Sequence, residues 1–165
     1  MNIIKKSKTD LTFLFIISCI LVGCSTFDRP LNWVGITTNN KLNKITVESL
    51  SGSTLGMPIF CDYVFIYKTS LTNNLANMTS EQWFESKNAL LLMYGSNLEV
   101  VSHEYVPNTL ETALTLPEKS NDATAILFFA NYQTPRGVIV SHLETYKEVN
   151  IKLKSDHYTI EDVSN

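Results

Sequence analysis

Cys24 is the residue whose setting most clearly predicts chemistry. It ends the stretch Leu21-Val22-Gly23-Cys24, which closes an apolar run over residues 11–22 that follows three lysines within residues 5–8. A basic segment before about a dozen apolar residues is typical of a signal peptide, and such a run is short for a membrane-spanning helix. The stretch looks like a lipobox, where a bacterial signal peptidase cleaves before a cysteine whose thiol has been alkylated by diacylglycerol. We therefore predict a signal peptide over residues 1–23 and lipidation of Cys24, in preference to an uncleaved anchor helix.

The lipid on Cys24 also predicts where the protein resides. A single acyl chain binds a membrane only marginally, whereas a diacylglycerol and an N-acyl chain together give stable attachment. The residue after the cysteine is Ser25; in bacterial lipoproteins generally, an aspartate at this position favours retention in the inner membrane. We therefore expect the protein to be anchored to outer-membrane lipid, on the periplasmic face. We expect no cofactor besides the covalent lipid.

Catalytic and metal-binding patterns are the next chemistry to consider. His103, His142 and His157 are far apart in the sequence, and none stands in an HxH, HExxH or CxxC spacing. The sequence contains no GxSxG elbow, P-loop or dinucleotide fingerprint. Asp62 lies within an apolar segment, where a hydrogen-bonded carboxylate at a sheet edge is a commoner arrangement than a catalytic acid. We predict a non-enzymatic protein with no catalytic and no metal-binding residues.

The remaining cysteine and the net charge exclude further classes of protein. Cys61 is the only thiol left once the signal peptide and the lipidated residue are set aside, so it has no partner for an internal disulfide and suits a buried apolar position. Removal of residues 1–23 takes away three lysines and one aspartate, which changes the net charge from −3 to −5. An acidic chain has no electrostatic basis for binding nucleic acid.

Residues 24–43 are polar and contain Pro30, which indicates a tether between the lipid and a folded domain over residues 44–165. In that domain Thr79 and Gln82 form a capping box that predicts the start of a helix, and Gly95 is a plausible end. Alternating or continuous apolar patterns predict strands over residues 45–48, 59–68, 98–106, 109–116, 123–132, 138–143 and 149–154. The sequence therefore predicts a mainly β fold, a two-sheet antiparallel sandwich with a short helical insertion.

The order of several short motifs along this domain is distinctive. They are Gly56-Met57-Pro58, then Tyr63-Val64-Phe65-Ile66-Tyr67-Lys68, Trp83-Phe84, Tyr94-Gly95-Ser96-Asn97-Leu98, Pro107-Asn108 and Phe128-Phe129-Ala130-Asn131-Tyr132. This order resembles the TssJ family, the outer-membrane lipoproteins of type VI secretion systems. The resemblance covers about residues 44–145, most of the mature domain.

The resemblance implies a transthyretin-like sandwich that tethers the periplasmic domain of the inner-membrane protein TssM and has no small-molecule substrate. In that family the loop between the first two strands carries much of the contact. The matching loop here consists of Ser51, Gly52, Ser53, Thr54, Leu55, Gly56, Met57 and Pro58. A polar, glycine-containing loop with two apolar side chains suits docking, although such a loop taken alone is more often a plain connection.

Two other functions stay open on the sequence. One is an envelope-assembly or carrier lipoprotein that binds an apolar ligand between its sheets. The other is a periplasmic hydrolase, because catalytic triads assemble from residues that are distant in sequence. A neighbouring gene for a large inner-membrane protein with a periplasmic region would favour the secretion role.

The anchor generates the first prediction. Replacing Cys24 by Ser removes the thiol that accepts diacylglycerol, so metabolic labelling with palmitate should disappear. The labelled wild-type protein should sediment with outer-membrane markers in a density gradient. Palmitate label on the Cys24→Ser variant would contradict the lipobox, and recovery of the wild type with inner-membrane markers alone would contradict the role assigned to Ser25.

Overall fold

The computed structural model describes residues 40–49, 57–108, 112–132 and 140–164. The lipidation site Cys24 and loop residues 51–56 lie outside this part of the chain. The described helices and strands are β1 (Lys44–Ser49), β2 (Ile59–Ile66), α1 (Thr69–Ala76), α2 (Ser80–Tyr94), β3 (Leu98–Tyr105), β4 (Thr112–Ala113), β5 (Ala125–Asn131), β6 (Ser141–His142), β7 (Glu148–Leu153) and β8 (Tyr158–Asp162).

The strands form two four-stranded sheets. The first sheet has the order β4-β1-β7-β8 and the second has the order β3-β2-β5-β6. Together with the helices between β2 and β3, this confirms the predicted two-sheet sandwich with a helical insertion. One pair departs from the antiparallel pattern, since β1 and β7 run parallel over six residue pairs. Parallel neighbours need a long crossover, which here contains both helices and all four strands of the second sheet.

From residue 61 onward strand β2 is buried on both faces, as its nearly continuous apolar sequence predicts. Its alternate side chains Cys61, Tyr63 and Phe65 belong to the core between the sheets, where Tyr63 packs on Phe128 at 5.1 Å between ring centroids. The intervening Val64 belongs to a second apolar cluster beneath the helices. A central strand that is covered by a sheet on one side and by helices on the other has no solvent face, so its sequence does not alternate.

Helix α2 begins and ends where the sequence predicts. The Thr79 hydroxyl accepts a hydrogen bond from the Gln82 amide at 3.2 Å, and the Gln82 side chain accepts one from the Thr79 amide at 2.9 Å. The helix continues through Tyr94 and ends at Gly95, whose φ of 51° lies in the left-handed region that glycine tolerates. Trp83 is its most deeply buried residue.

Helix α1 was not predicted. Its sequence, TSLTNNLA, has only Leu71 and Leu75 as large apolar residues, and Lys68 provides no side-chain cap. Both leucines are buried against the second sheet. Tertiary packing of two side chains at i, i+4 spacing stabilises a helix whose local propensity is weak.

The C-terminal region also differs from the prediction. The strand predicted over residues 149–154 is β7, but it is not the last strand, because β8 pairs with it in antiparallel fashion. In β8 only Tyr158 and Ile160 contact the core, which leaves too short an alternation to recognise in the sequence. Strands β4 and β6 have two residues each and are shorter than the apolar patterns around them.

The folded body includes residues that the sequence assigns to the tether. Leu42 is 1% exposed and packs in the core between the sheets. Asn40 donates a side-chain hydrogen bond to the Ser120 carbonyl, and the Lys41 amide donates to the Glu144 carbonyl. Within the described ranges, neither helix has the length and apolar character needed to cross a bilayer.

The capping box generates a stability prediction. Replacing Thr79 by Ala removes the hydroxyl that accepts the Gln82 amide, so the free energy of unfolding should fall by about 1 kcal/mol. Chemical denaturation followed by circular dichroism measures the change, and Thr79→Ser is the matched control because it keeps the hydroxyl. Equal stability of the Ala variant and the wild type would show that this cap contributes nothing to the fold.

Candidate partner-binding surface

The predicted docking loop joins one sheet to the other. It leaves β1 in the first sheet and enters β2 in the second, and of its eight residues the structure describes Met57 and Pro58. Met57 is 47% exposed. The structure therefore places the last residues of the loop at the surface, immediately before β2, while the six preceding residues lie outside the described chain.

Three strands of the second sheet meet at the point where this loop enters it. Antiparallel register sets Phe60 opposite Glu104 of β3 and opposite Asn131 of β5. We call this edge, formed by Phe60, Glu104, Val106 and Asn131, the loop end. Phe60 of β2 is 48% exposed and Val106, directly after β3, is 58% exposed, so further apolar surface accompanies Met57 there.

Phe60 is exposed because the helical layer stops short of it. Phe60, Asp62 and Val64 alternate on the face of β2 that the helices cover, yet only Asp62 and Val64 are buried. The uncovered region is an open groove of about 370 Å³ between α2 and the sheet. Its lining includes Phe60, Asp62, Phe84, Lys87, Ser102 and Glu104.

The floor of this groove is a buried ion pair. Asp62 is 1% exposed, and its Oδ2 accepts a hydrogen bond from Trp83 Nε1 at 2.8 Å. Lys87 Nζ lies 3.0 Å from Oδ1 and 2.9 Å from Oδ2 of the same carboxylate, and it also donates to Ser102 Oγ at 2.7 Å. Trp83 and Lys87 are four residues apart and so lie on one face of α2, which directs both toward β2.

The prediction for Asp62 was correct in one respect and wrong in another. The carboxylate is hydrogen-bonded, as expected of a structural group. It does not lie at a sheet edge, however, because β2 is flanked by β3 and β5. Its partners Trp83 and Lys87 are distant in sequence, and only the docking of α2 brings them to it.

The contact between Lys87 and Ser102 invites comparison with a serine–lysine catalytic pair. In such a pair a neutral amine accepts the proton of the hydroxyl. Here the amine is bonded to a buried carboxylate, and it points its remaining proton at Ser102. This arrangement makes Lys87 a donor that joins α2 to β2 and β3, so the three side chains position the helix.

The three histidines singled out in the sequence lie apart from one another, and His103 also lines the groove. His103 is on β3, with its ring 4.5 Å from that of Tyr105; His142 Nδ1 is 2.9 Å from Glu144; and His157 Nδ1 is 2.6 Å from Asp156. No group of three or more His, Cys, Asp or Glu side chains in the described residues could hold a metal ion.

Cys61 is the buried apolar residue that the sequence predicts. It is 1% exposed on the sandwich side of β2. Burial raises the pKa of its thiol well above the usual range, and the neighbouring Asp62 carboxylate raises that pKa further. Because the thiolate is the reactive form, a thiol held neutral in this way should be inert.

Comparisons with known proteins bear on the fold. Serratia marcescens Lip, a membrane-bound component of the type VI secretion system, superimposes with a TM-score of 0.54 at 12% identity, covering 74% of this chain and 96% of that one. The type VI lipoprotein TssJ1 from Pseudomonas aeruginosa superimposes with a TM-score of 0.52 at 14% identity, covering 75% and 98%. No protein-family model and no curated protein sequence matches this chain. The chain therefore shares the fold of two type VI secretion lipoproteins, as the resemblance seen in the sequence implies.

The ion pair at the floor of the groove generates a further stability prediction. Replacing Lys87 by Met leaves the Asp62 carboxylate buried with Trp83 as its remaining side-chain donor, so the free energy of unfolding should fall by about 2 kcal/mol. Urea denaturation measures this change. The matched control is Lys152→Met, which breaks an exposed pair with Glu161 and should have a smaller effect. Equal losses of unfolding free energy in the two variants would show that burial of Asp62 does not make the Lys87 pair more stabilising than an exposed pair.

Proposed function

We propose that the protein is an outer-membrane lipoprotein of a type VI secretion membrane complex that binds the periplasmic domain of the inner-membrane protein TssM. The observation that carries this proposal is the fold shared with Serratia Lip and Pseudomonas TssJ1, which covers 74% and 75% of this chain and 96% and 98% of those two chains. The lipobox at Cys24 supports it independently, because it predicts the same kind of membrane attachment. Its role is then to hold a partner, with no reaction to catalyse.

The position of the tether supports this role. Asn40 and Lys41 are bonded to Ser120 and Glu144. These contacts lie beside the start of β5, where the Ile126 amide donates to the Glu144 side chain and the Thr124 amide donates to the Ile66 carbonyl. We call this opposite edge of the second sheet the tether end.

The loop end and the tether end are separated by the length of β5. Strand β5 has seven residues, so the two ends are about 20 Å apart at a rise of about 3.3 Å per residue. The polypeptide that leads back to Cys24 therefore joins the body at one end, and the candidate docking surface lies at the other. In the proposed role, the attachment toward Cys24 and the docking of a partner would use opposite ends of the sheet.

The alternative of an apolar ligand between the sheets is disfavoured by the packing there. Phe128 is in ring contact with Tyr63 on one side and with Tyr158, edge-on at 4.7 Å, on the other. The Tyr63 and Tyr105 hydroxyls are 2.9 Å apart and satisfy each other within this core. A ligand would have to displace side chains that already fill the space between the sheets.

The loop generates the prediction that tests the proposed function. Replacing Leu55 and Met57 together by Ala should weaken binding to the TssM periplasmic domain at least tenfold, about 1.4 kcal/mol, because apolar anchors dominate interface energies. The melting temperature should change little, since surface substitutions usually alter stability by about 0.5 kcal/mol or less. Calorimetric titration of the full-length lipoprotein in detergent measures the affinity.

The control is Leu92→Ala, a truncation of an 88% exposed leucine on α2 that lies outside the loop end. It should leave affinity and melting unchanged. A wild-type protein that does not bind the TssM domain would overturn the proposed function. Unchanged affinity of the Leu55/Met57 variant would instead remove the loop as the docking site.

A further inference from the structure

We infer that the groove at the loop end binds an arginine side chain of the partner protein, which stacks on Phe60 and pairs with the Glu104 carboxylate. This inference rests on the proposed function and identifies the chemistry of the contact. Three properties of the groove lead to it: an exposed aromatic ring, a carboxylate beside that ring with no ion-pair partner among the described residues, and a rigid floor.

The aromatic ring has no role in the core. Phe60 belongs to neither apolar cluster and is 48% exposed, whereas all six residues that follow it in β2 are buried. A half-exposed phenylalanine within a groove offers a flat surface to a partner side chain. Aromatic rings attract cations to their faces, and guanidinium groups more often than ammonium groups.

Among the Asp, Glu, Lys and Arg side chains that the structure describes in the groove lining, the charges do not cancel. Asp62 and Lys87 neutralise each other on the floor. Glu104 lies directly opposite Phe60 in the register of β2 and β3 and is exposed. In the described part of the chain its carboxylate makes no hydrogen bond and no ion pair. One negative charge therefore stands beside the exposed ring, and its complement is a cation.

The rigid floor of the groove makes it selective for one kind of partner side chain. Trp83 and Lys87 fix α2 against β2, and Lys87 also bonds Ser102, two residues before Glu104 on the same face of β3. The helix residue Phe84 lines the groove across from the sheet. A planar guanidinium can lie against an aromatic ring while it donates two parallel hydrogen bonds to a carboxylate, whereas a lysine ammonium offers only a point charge. The geometry thus favours arginine over lysine.

The test is a titration of the full-length lipoprotein in detergent with the TssM periplasmic domain. Glu104→Gln keeps the size of the side chain and removes its charge, and we expect about tenfold weaker binding. Phe60→Ala removes the ring, and we expect a loss of similar size. The matched control is Glu85→Gln, which neutralises an exposed carboxylate on α2 outside the groove lining and should leave affinity unchanged.

A double-mutant cycle identifies the arginine. Each arginine of the TssM domain is replaced singly by Ala and titrated against the wild type and against Glu104→Gln. We expect one replacement to weaken binding to the wild type about tenfold and to have little further effect on the Glu104 variant, because the two side chains act as a pair. Replacing that arginine by Lys should recover only part of the affinity.

The outcomes separate this inference from the proposed function. If the wild type binds the TssM domain but Glu104→Gln and Phe60→Ala bind equally well, the inference is wrong and the proposed function stands. Weaker binding of both variants without coupling to any arginine would also overturn the inference. If the wild type does not bind at all, both fail. Melting curves check the fold, and Glu104→Gln keeps the test decisive if Phe60→Ala unfolds the protein.

Discussion

The hydrogen-bonded carboxylate of Asp62 is the constraint on which the arrangement of the helices and the second sheet depends. A carboxylate within a central strand has lost its water and must find donors in the protein. Trp83 and Lys87, one turn apart on α2, supply them at 2.8 to 3.0 Å. The side chain that would be most destabilising in the sheet therefore fixes where the helix can lie, because no shifted position of α2 keeps both donors on the carboxylate.

The position of α2 in turn determines which surfaces are buried. With Trp83 stacked on Phe129 at 4.9 Å, the helix covers the middle of β2 and β5 and completes the second apolar cluster. Phe60, one alternation before Asp62, falls outside this cover. The groove and its exposed ring follow from the same contact that anchors the helix, so a change that loosened α2 would alter the candidate binding surface as well as the stability.

Local patterns predicted much of this fold, and the failures have physical causes. β1, β2, β5 and most of β7 have continuous or alternating apolar sequences, and the Thr79 capping box marks the start of α2. Helix α1 was not predicted because its sequence is a polar stretch with two leucines, and the helix is stabilised by the tertiary contacts of those leucines. Strand β8 was missed for the same reason, because it is stabilised by its pairing with β7 and its own sequence has little apolar pattern. The parallel pairing of β1 with β7 depends on topology, which strand patterns do not encode.

The candidate site was predictable only in part. A loop between the first two strands could be identified from its glycines and apolar residues, but Phe60 and Glu104 could not be recognised as neighbours. Their pairing depends on the register between β2 and β3, and the exposure of Phe60 depends on where the helical layer ends. The one sequence feature that pointed to this site was Asp62, a polar residue within an otherwise apolar strand. A buried carboxylate needs hydrogen-bond donors from another element, so its position indicates where a helix must dock.

The positions of the two ends of the second sheet determine how the structure would carry force. In the proposed role, attachment near Glu144 and docking near Glu104 would place the two loaded contacts about 20 Å apart along continuous strands. Force applied between a lipid anchor and a bound partner would pass through β2 and β5, which are paired over seven residues and packed on both faces. Separation of such strands along their length requires many backbone hydrogen bonds to break together. A sandwich loaded in this direction would hold a bound partner at a fixed distance from the tether end, as the proposed role requires.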